Sequence, residues 1–198
     1  MFIELTDHLR CPAEHPESFL VLIPHRMDGR RVLEGLLGCP VCQAEYPITA
    51  GVVRFGDSLP PMPAPGAAAD QPPASALHAF LGLEGPGGYV GLVGEAAAAA
   101  DALAGLLPGV HLALVNPPGV PLPAAATSVL RSPRLPLKAR SLRGIVLGRP
   151  WADAEGWMAA GVGAVLPGLR AVGHGEPPAL PGFELLGAAG GWWVGRQG

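Results

Sequence analysis

Cys39 and Cys42 stand two residues apart in "LLGCPVCQAEYPI" (36–48). At that spacing two thiolates converge on one ion from a tight turn. Upstream, "LRCPAEHPE" (9–17) offers Cys11 and His15, a second pair set three residues apart. Cys11, His15, Cys39 and Cys42 would complete a Cys3His tetrahedron with no position left for water or substrate, so the expected ion is a structural zinc. Glu14, His8 and His25 stay open as alternatives to His15 in fourth place. The competing account is ordinary buried thiols beside a surface histidine. Against it, all three cysteines of the chain fall within the first 42 residues, and two of them precede proline.

The elements that must carry these ligands are short. The apolar stretches "SFLVLI" (18–23) and "GVVRF" (51–55) are expected to pair as strands beside the ion, with Tyr46, Pro47 and Ile48 packed over it. A unit of residues 1–57 has little core, so the ion would supply much of its folding free energy. Residues 58–74, "SLPPMPAPGAAADQPPA", hold six prolines in seventeen positions and read as an extended linker. A second unit, 75–198, alternates. Strands are expected at 88–94, 110–115 and 142–148, and helices at 95–107 and 151–166, the latter stopped by Pro167 and Gly168. "LRAVGHG" is a further strand, and "FELLGAAGGWWVGRQ" a closing hairpin around Ala189 and Gly190. The fold class is α/β: a small β-rich N-terminal zinc ribbon plus a shortened Rossmann-like, mostly parallel sheet with flanking helices.

Two resemblances follow from these residues. Leu9, Cys11, Pro12, Cys39, Cys42, Tyr46, Pro47, Ile48, Gly51 and Val52, over residues 5–56, resemble the small zinc-ribbon family of tRNA methyltransferase activators. The first knuckle departs from that family, with His15 where it carries a second cysteine. Residues 75–198 resemble a shortened Rossmann-type methyltransferase. "GPGGYVGLVGEAAAAADAL" falls at the first strand, glycine loop and first helix; "LPLKARSLRGIVL", "AVLPGLRAV" and "GFELL…GWWVGR" match later segments and the terminal hairpin. The resemblance implies an S-adenosylmethionine site that this sequence has lost. Gly91 stands where the first strand should end in an acid, and Gly94 is followed by Glu95, Ala96 and Ala97 across the glycine loop. Asn116 replaces the carboxylate for the ribose hydroxyls, and Asn is not the expected bidentate acceptor. "NPPG" (116–119) resembles the Asn-Pro-Pro-aromatic motif of amino-group methyltransferases. It follows the wrong strand and lacks the aromatic, so it is read as chance.

Other catalytic signatures are missing: neither a G-x-S-x-G elbow nor a phosphate loop occurs. His111 and His174 read as structural, and Trp151, Trp157, Trp192 and Trp193 as core or interface residues rather than a ligand wall. Net charge is −3, against nucleic-acid binding through overall charge. Residues 57–130 nonetheless carry five acids and no Lys or Arg, whereas 131–149 carry six basic residues and no acid. Those six, Arg131, Arg134, Lys138, Arg140, Arg143 and Arg149, are either a solvated face or a docking surface for an acidic partner, RNA or an anionic membrane. "MFIELTDHLR" lacks the form of a secretory signal, and three cysteines suit a reducing compartment, so a cytoplasmic protein is expected. The expected function is a non-catalytic scaffold subunit docking onto a larger protein or complex, with S-adenosylmethionine not an expected cofactor. The runner-up is a divergent methyltransferase acting on RNA, protein or a small molecule, and nucleic-acid binding without catalysis ranks third.

Overall fold

A computed structural model describes residues 1–56, 71–119 and 126–198. Most of the Pro-rich segment 58–74 lies outside the described residues, and Ala74 already begins a helix. Four strands form the N-terminal part: β1 (Val21–Asp28), β2 (Arg31–Gly38), β3 (Glu45–Thr49) and β4 (Val52–Arg54). After α1 (Ala74–Leu81) come β5 (Tyr89–Val93), a 3-10 turn over Gly94–Ala99, α2 (Ala100–Leu106), β6 (His111–Val115) and β7 (Thr127–Arg131). The chain continues through β8 (Leu142–Leu147), α3 (Trp157–Ala164), β9 (Val165–His174), β10 (Phe183–Ala189) and β11 (Trp192–Gln197).

The eleven strands of the described residues join one sheet in the order β1-β2-β3-β4-β7-β6-β5-β8-β9-β11-β10. The run β7-β6-β5-β8-β9 is parallel throughout and reverses its winding direction at β5, the doubly wound order. β11 inserts antiparallel between β9 and β10. Every residue of β5 is buried, as a parallel strand covered on both faces must be. On one face Leu77 and Leu81 of α1 and Leu103 of α2 pack on Val90, Leu92, Leu112 and Val146.

The N-terminal part is built into this sheet. β4 pairs in parallel with β7, Val52 opposite Val129 and Arg54 opposite Arg131, so the antiparallel strands extend the parallel block. On the face away from α1, Met1, Leu5 and Leu9 share a core with Tyr89, Val93, Ala113, Leu130 and Leu137. Backbone bonds tie the layer down: Lys138 N donates to His8 O at 2.8 Å and Arg10 N to Pro136 O at 3.0 Å. Rings add to it, Phe2 lying 4.6 Å from His111 and His8 4.7 Å from Tyr89. The segment before the first cysteine thus covers sheet where a doubly wound fold would place a crossover helix.

Several sequence expectations are corrected. "SFLVLI" does not pair with "GVVRF"; β1 pairs with β2, and β4 lies between β3 and β7. β2 and β7 were not expected at all. Pro167 and Gly168 do not stop a helix. α3 ends at Ala164 and passes straight into β9, where these two residues occupy an exposed irregularity between the Leu142–Val165 and Gly144–Arg170 pairs. Pro is tolerated there because the ladder is already broken. Among the described residues, no helix is long and apolar enough to cross a membrane.

Candidate functional site

Cys11, His15, Cys39 and Cys42 converge, their ligand atoms all within 4.8 Å of one another. Cys11 leaves the short N-terminal layer with its N–H donating to Ser18 O at 3.2 Å. Cys39 and Cys42 sit on the turn between β2 and β3, closed by Gln43 N donating to Cys39 O at 2.9 Å. Gln43 adopts the left-handed region at φ 60°. Burial opposes ionisation of Cys39, yet the backbone amides of Cys42 and Val41 pull its thiol down to about 6. This is the arrangement a metal-binding knuckle needs, since the thiolate is the ligand. Burial pushes the Cys11 thiol up.

Two of the six separations match those of a four-coordinate ion. Cys11 Sγ lies 3.7 Å from Cys42 Sγ, and Cys39 Sγ 3.4 Å from His15 Nε2. Ligands bound at the sulfur and nitrogen distances of zinc lie roughly 3.4–3.8 Å apart across a tetrahedron. His15 Nδ1 is 2.7 Å from the Pro16 carbonyl. Donation to that oxygen puts the proton on Nδ1 and turns the Nε2 lone pair toward the cluster. The cluster could therefore hold zinc. The other candidates for fourth place are engaged elsewhere: Glu14 pairs with Arg134, His8 Nδ1 contacts Ser141 O at 2.9 Å, and His25 lies on exposed β1.

The second region lies at the carboxyl ends of β5, β6 and β8, where an open α/β sheet binds its ligands. Gly91 is not at that end; it is buried in mid-strand, where a Cβ would come within 3.1 Å of Ile145 and Leu142. Gly94 is at the end, and the space before it is taken. Its φ is +61°, and a Cβ would meet Trp151 Cδ1 at 2.6 Å and the Arg149 carbonyl still closer. Glu95 N donates to that carbonyl at 3.0 Å, and Gly148 N to Val93 O at 3.0 Å. The loops after β5 and β8 are thus bonded to each other. Trp151 is buried and packs 4.4 Å from Trp157. Gly94→Ala is expected to destabilise the fold by on the order of 2–4 kcal/mol, combining left-handed strain with overpacking against backbone. The urea midpoint of the variant against wild type checks it.

Asn116 is fully buried, at φ 51° in the left-handed region that Asn tolerates. Its Nδ2 donates to Ser132 O at 2.7 Å and its Oδ1 accepts from Ser132 N at 2.9 Å. The amide works as one more rung between the ends of β6 and β7, using both donor and acceptor character.

The six basic residues do not share one role. Arg131 is only 8% exposed; its guanidinium donates to Pro117 O at 2.6 Å and to Gly119 O, fastening the loop after β6. Arg143 gathers the carbonyls of Glu84, Gly85, Pro86 and Gly87. Arg149 contacts His174, Arg134 pairs with Glu14, and Lys138 donates to Asp7 O at 2.9 Å. Arg140 is exposed at φ 51°. Sequence reasoning packs Tyr46 over the cluster but does not foresee its hydrogen bond: the hydroxyl lies 3.0 Å from Cys11 Sγ. Its place four residues after Cys42, at the inward position of a strand, was the available signal.

No protein-family model matches the chain, and no curated protein matches it. Three solved structures show partial likeness. A putative methyltransferase from an antibiotic biosynthesis pathway of Anabaena variabilis is 14% identical, with 51% of this chain and 43% of that one covered and a TM-score of 0.39. The antibiotic-resistance methyltransferase Kmr is 16% identical over 63% of this chain and 93% of its own, at 0.43. The 16S rRNA N2 G1207 methyltransferase of T. thermophilus is 13% identical over 90% and 44%, at 0.36. The chain spans less than half the length of the first and third.

Proposed function

We propose that the protein is a non-catalytic binding subunit, a zinc-stapled scaffold with a methyltransferase outline that docks onto a larger protein or complex in the cytoplasm. One observation carries this reading. At the carboxyl ends of β5 and β6, the groups that would hold a nucleoside cofactor are spent on the protein itself: Glu95 N on Arg149 O, and both ends of the Asn116 amide on Ser132. The Cys3His cluster is read as a structural zinc ribbon of the activator type, closed to substrate. Three free thiols fit a reducing compartment.

For docking, the favoured surface is the outer edge of β1, which pairs with no further strand among the described residues. It ends the sheet, and Val21, Ile23 and Met27 stand exposed along it, with Phe19 just before it and Val41 on the neighbouring turn. Unpaired backbone beside apolar side chains is what strand addition uses. Arg134, Lys138, Arg140 and Arg149 are exposed or half-buried and supply a basic rim for an acidic partner. Arg131 and Arg143 serve the fold.

The strand order with its terminal hairpin favours the second reading, a divergent methyltransferase. Calorimetric titration of the zinc-loaded chain with S-adenosylmethionine separates the two. No binding heat is expected; micromolar affinity would replace the scaffold reading with the enzyme.

A further inference from the structure

Three thiolates in one cluster need not be equivalent, and here their surroundings differ. Cys39 is buried and receives the amides of its own turn. Cys42 is exposed. Cys11 is buried, and the Tyr46 hydroxyl lies 3.0 Å from its sulfur. Tyr46 is held in place from behind. It occupies an inward position of β3, and its ring lies 4.9 Å from Phe55. Phe55 N in turn donates to Arg131 O at 2.7 Å, at the end of β7. A short path therefore runs from the cluster through one hydrogen bond and one ring contact to the seam between ribbon and parallel sheet.

We propose that Tyr46 is a positioning residue of the metal clasp: its hydroxyl donates to the Cys11 thiolate, fastening that ligand and leaving Cys42 as the first to detach. The inference rests on reading the cluster as a zinc site. A metal-bound thiolate keeps lone pairs that can accept such a bond, and groups that orient ligands in this way are worth about 10- to 100-fold in metal affinity. A thiolate that accepts a hydrogen bond is also a weaker nucleophile, whereas Cys42 is exposed and its sulfur faces only the other thiols of the cluster, Cys11 Sγ at 3.7 Å among them. Release of the ion under a competing chelator or an electrophile then has a direction, opening at the turn and ending at the buried layer.

The test uses the full chain loaded with zinc, titrated with a chromophoric zinc chelator and, separately, labelled with N-ethylmaleimide and read by mass spectrometry. Wild type is expected to label at Cys42 before Cys11. Tyr46→Phe, which keeps the ring against Phe55, is expected to lose about tenfold in zinc affinity and to label Cys11 together with Cys42. Phe55→Leu, which loosens the ring contact but keeps the hydroxyl, is expected to hold zinc within about twofold of wild type and to keep its labelling order. Wild-type affinity and labelling order in Tyr46→Phe would overturn the inference. So would an equal loss in Phe55→Leu, which would trace the effect to packing. Wild type that holds no zinc at all would sink the metal reading as well, an outcome distinct from either.

Discussion

Stripping zinc with a chelator, or replacing Cys39 by Ser, is expected to unfold far more than the turn that carries the ligands. The apparent binding free energy of a structural zinc in small peptides is about 10–16 kcal/mol, comparable to the whole stability of a domain. Here that energy is not confined to a detachable module. β4 supplies one full edge of the parallel block through Val52–Arg54, and Leu5 and Leu9 cover the face beneath Val93 and Leu130. Loss of the clasp therefore exposes β7 and opens the core of the larger half. The measurement is circular dichroism together with the fluorescence of Trp151, Trp157, Trp192 and Trp193, all of which lie in the C-terminal half. Both signals should collapse in one transition on chelation and return with added zinc. Acidification should act the same way, because every ligand must lose its proton to bind. Unchanged tryptophan emission in metal-free protein would show that the two halves stand independently.

The second large effect is expected at Asn116. Asn116→Asp would supply the acid that the methyltransferase resemblance calls for at this position, and it should damage this protein. The amide donates to Ser132 O and accepts from Ser132 N in a fully buried position. A carboxylate loses the donor, sets its second oxygen against a carbonyl, and buries a charge. Together these cost about 2–4 kcal/mol, or a fall in Tm of roughly 10 °C for a chain of this size. The variant should bind no S-adenosylmethionine, since Arg149 and Trp151 still occupy the space before Gly94. Undiminished thermal stability, or gain of cofactor binding, would contradict the role given to Ser132.

The Cys3His cluster was legible because its members are local: two pairs of candidate ligands at fixed spacing stand out in any context. So were β5, β6 and β8, whose apolar runs, interrupted only by His111 and Arg143, reflect burial on both faces. β7 was missed because its five residues end in Arg131 and run into a basic stretch. That charge is accommodated by Pro117 and Gly119 carbonyls, which no reading of neighbouring residues would supply. β2 was missed because Glu34 and Gly35 interrupt its apolar pattern; it is half-covered antiparallel sheet rather than core. Pro167 and Gly168 are reliable breakers of ladders, but the ladder they break is that of β9. The joining of both halves into one sheet was illegible for a deeper reason. It depends on the pairing of Val52 with Val129, distant in sequence, and neither strand carries a mark of the other.

That pairing has a consequence for the order of events during synthesis. The N-terminal strands leave the ribosome first, and β4 then presents a row of open backbone groups long before β7 has been translated. If zinc is already seated, the row is a rigid template on which β7 can register as soon as it emerges. On the zinc reading, zinc-poor cells lack that template. β7, buried along its whole length in the folded chain, would then lie uncovered at the border of a half-built sheet, so metal supply would govern the yield of folded protein as much as its final stability.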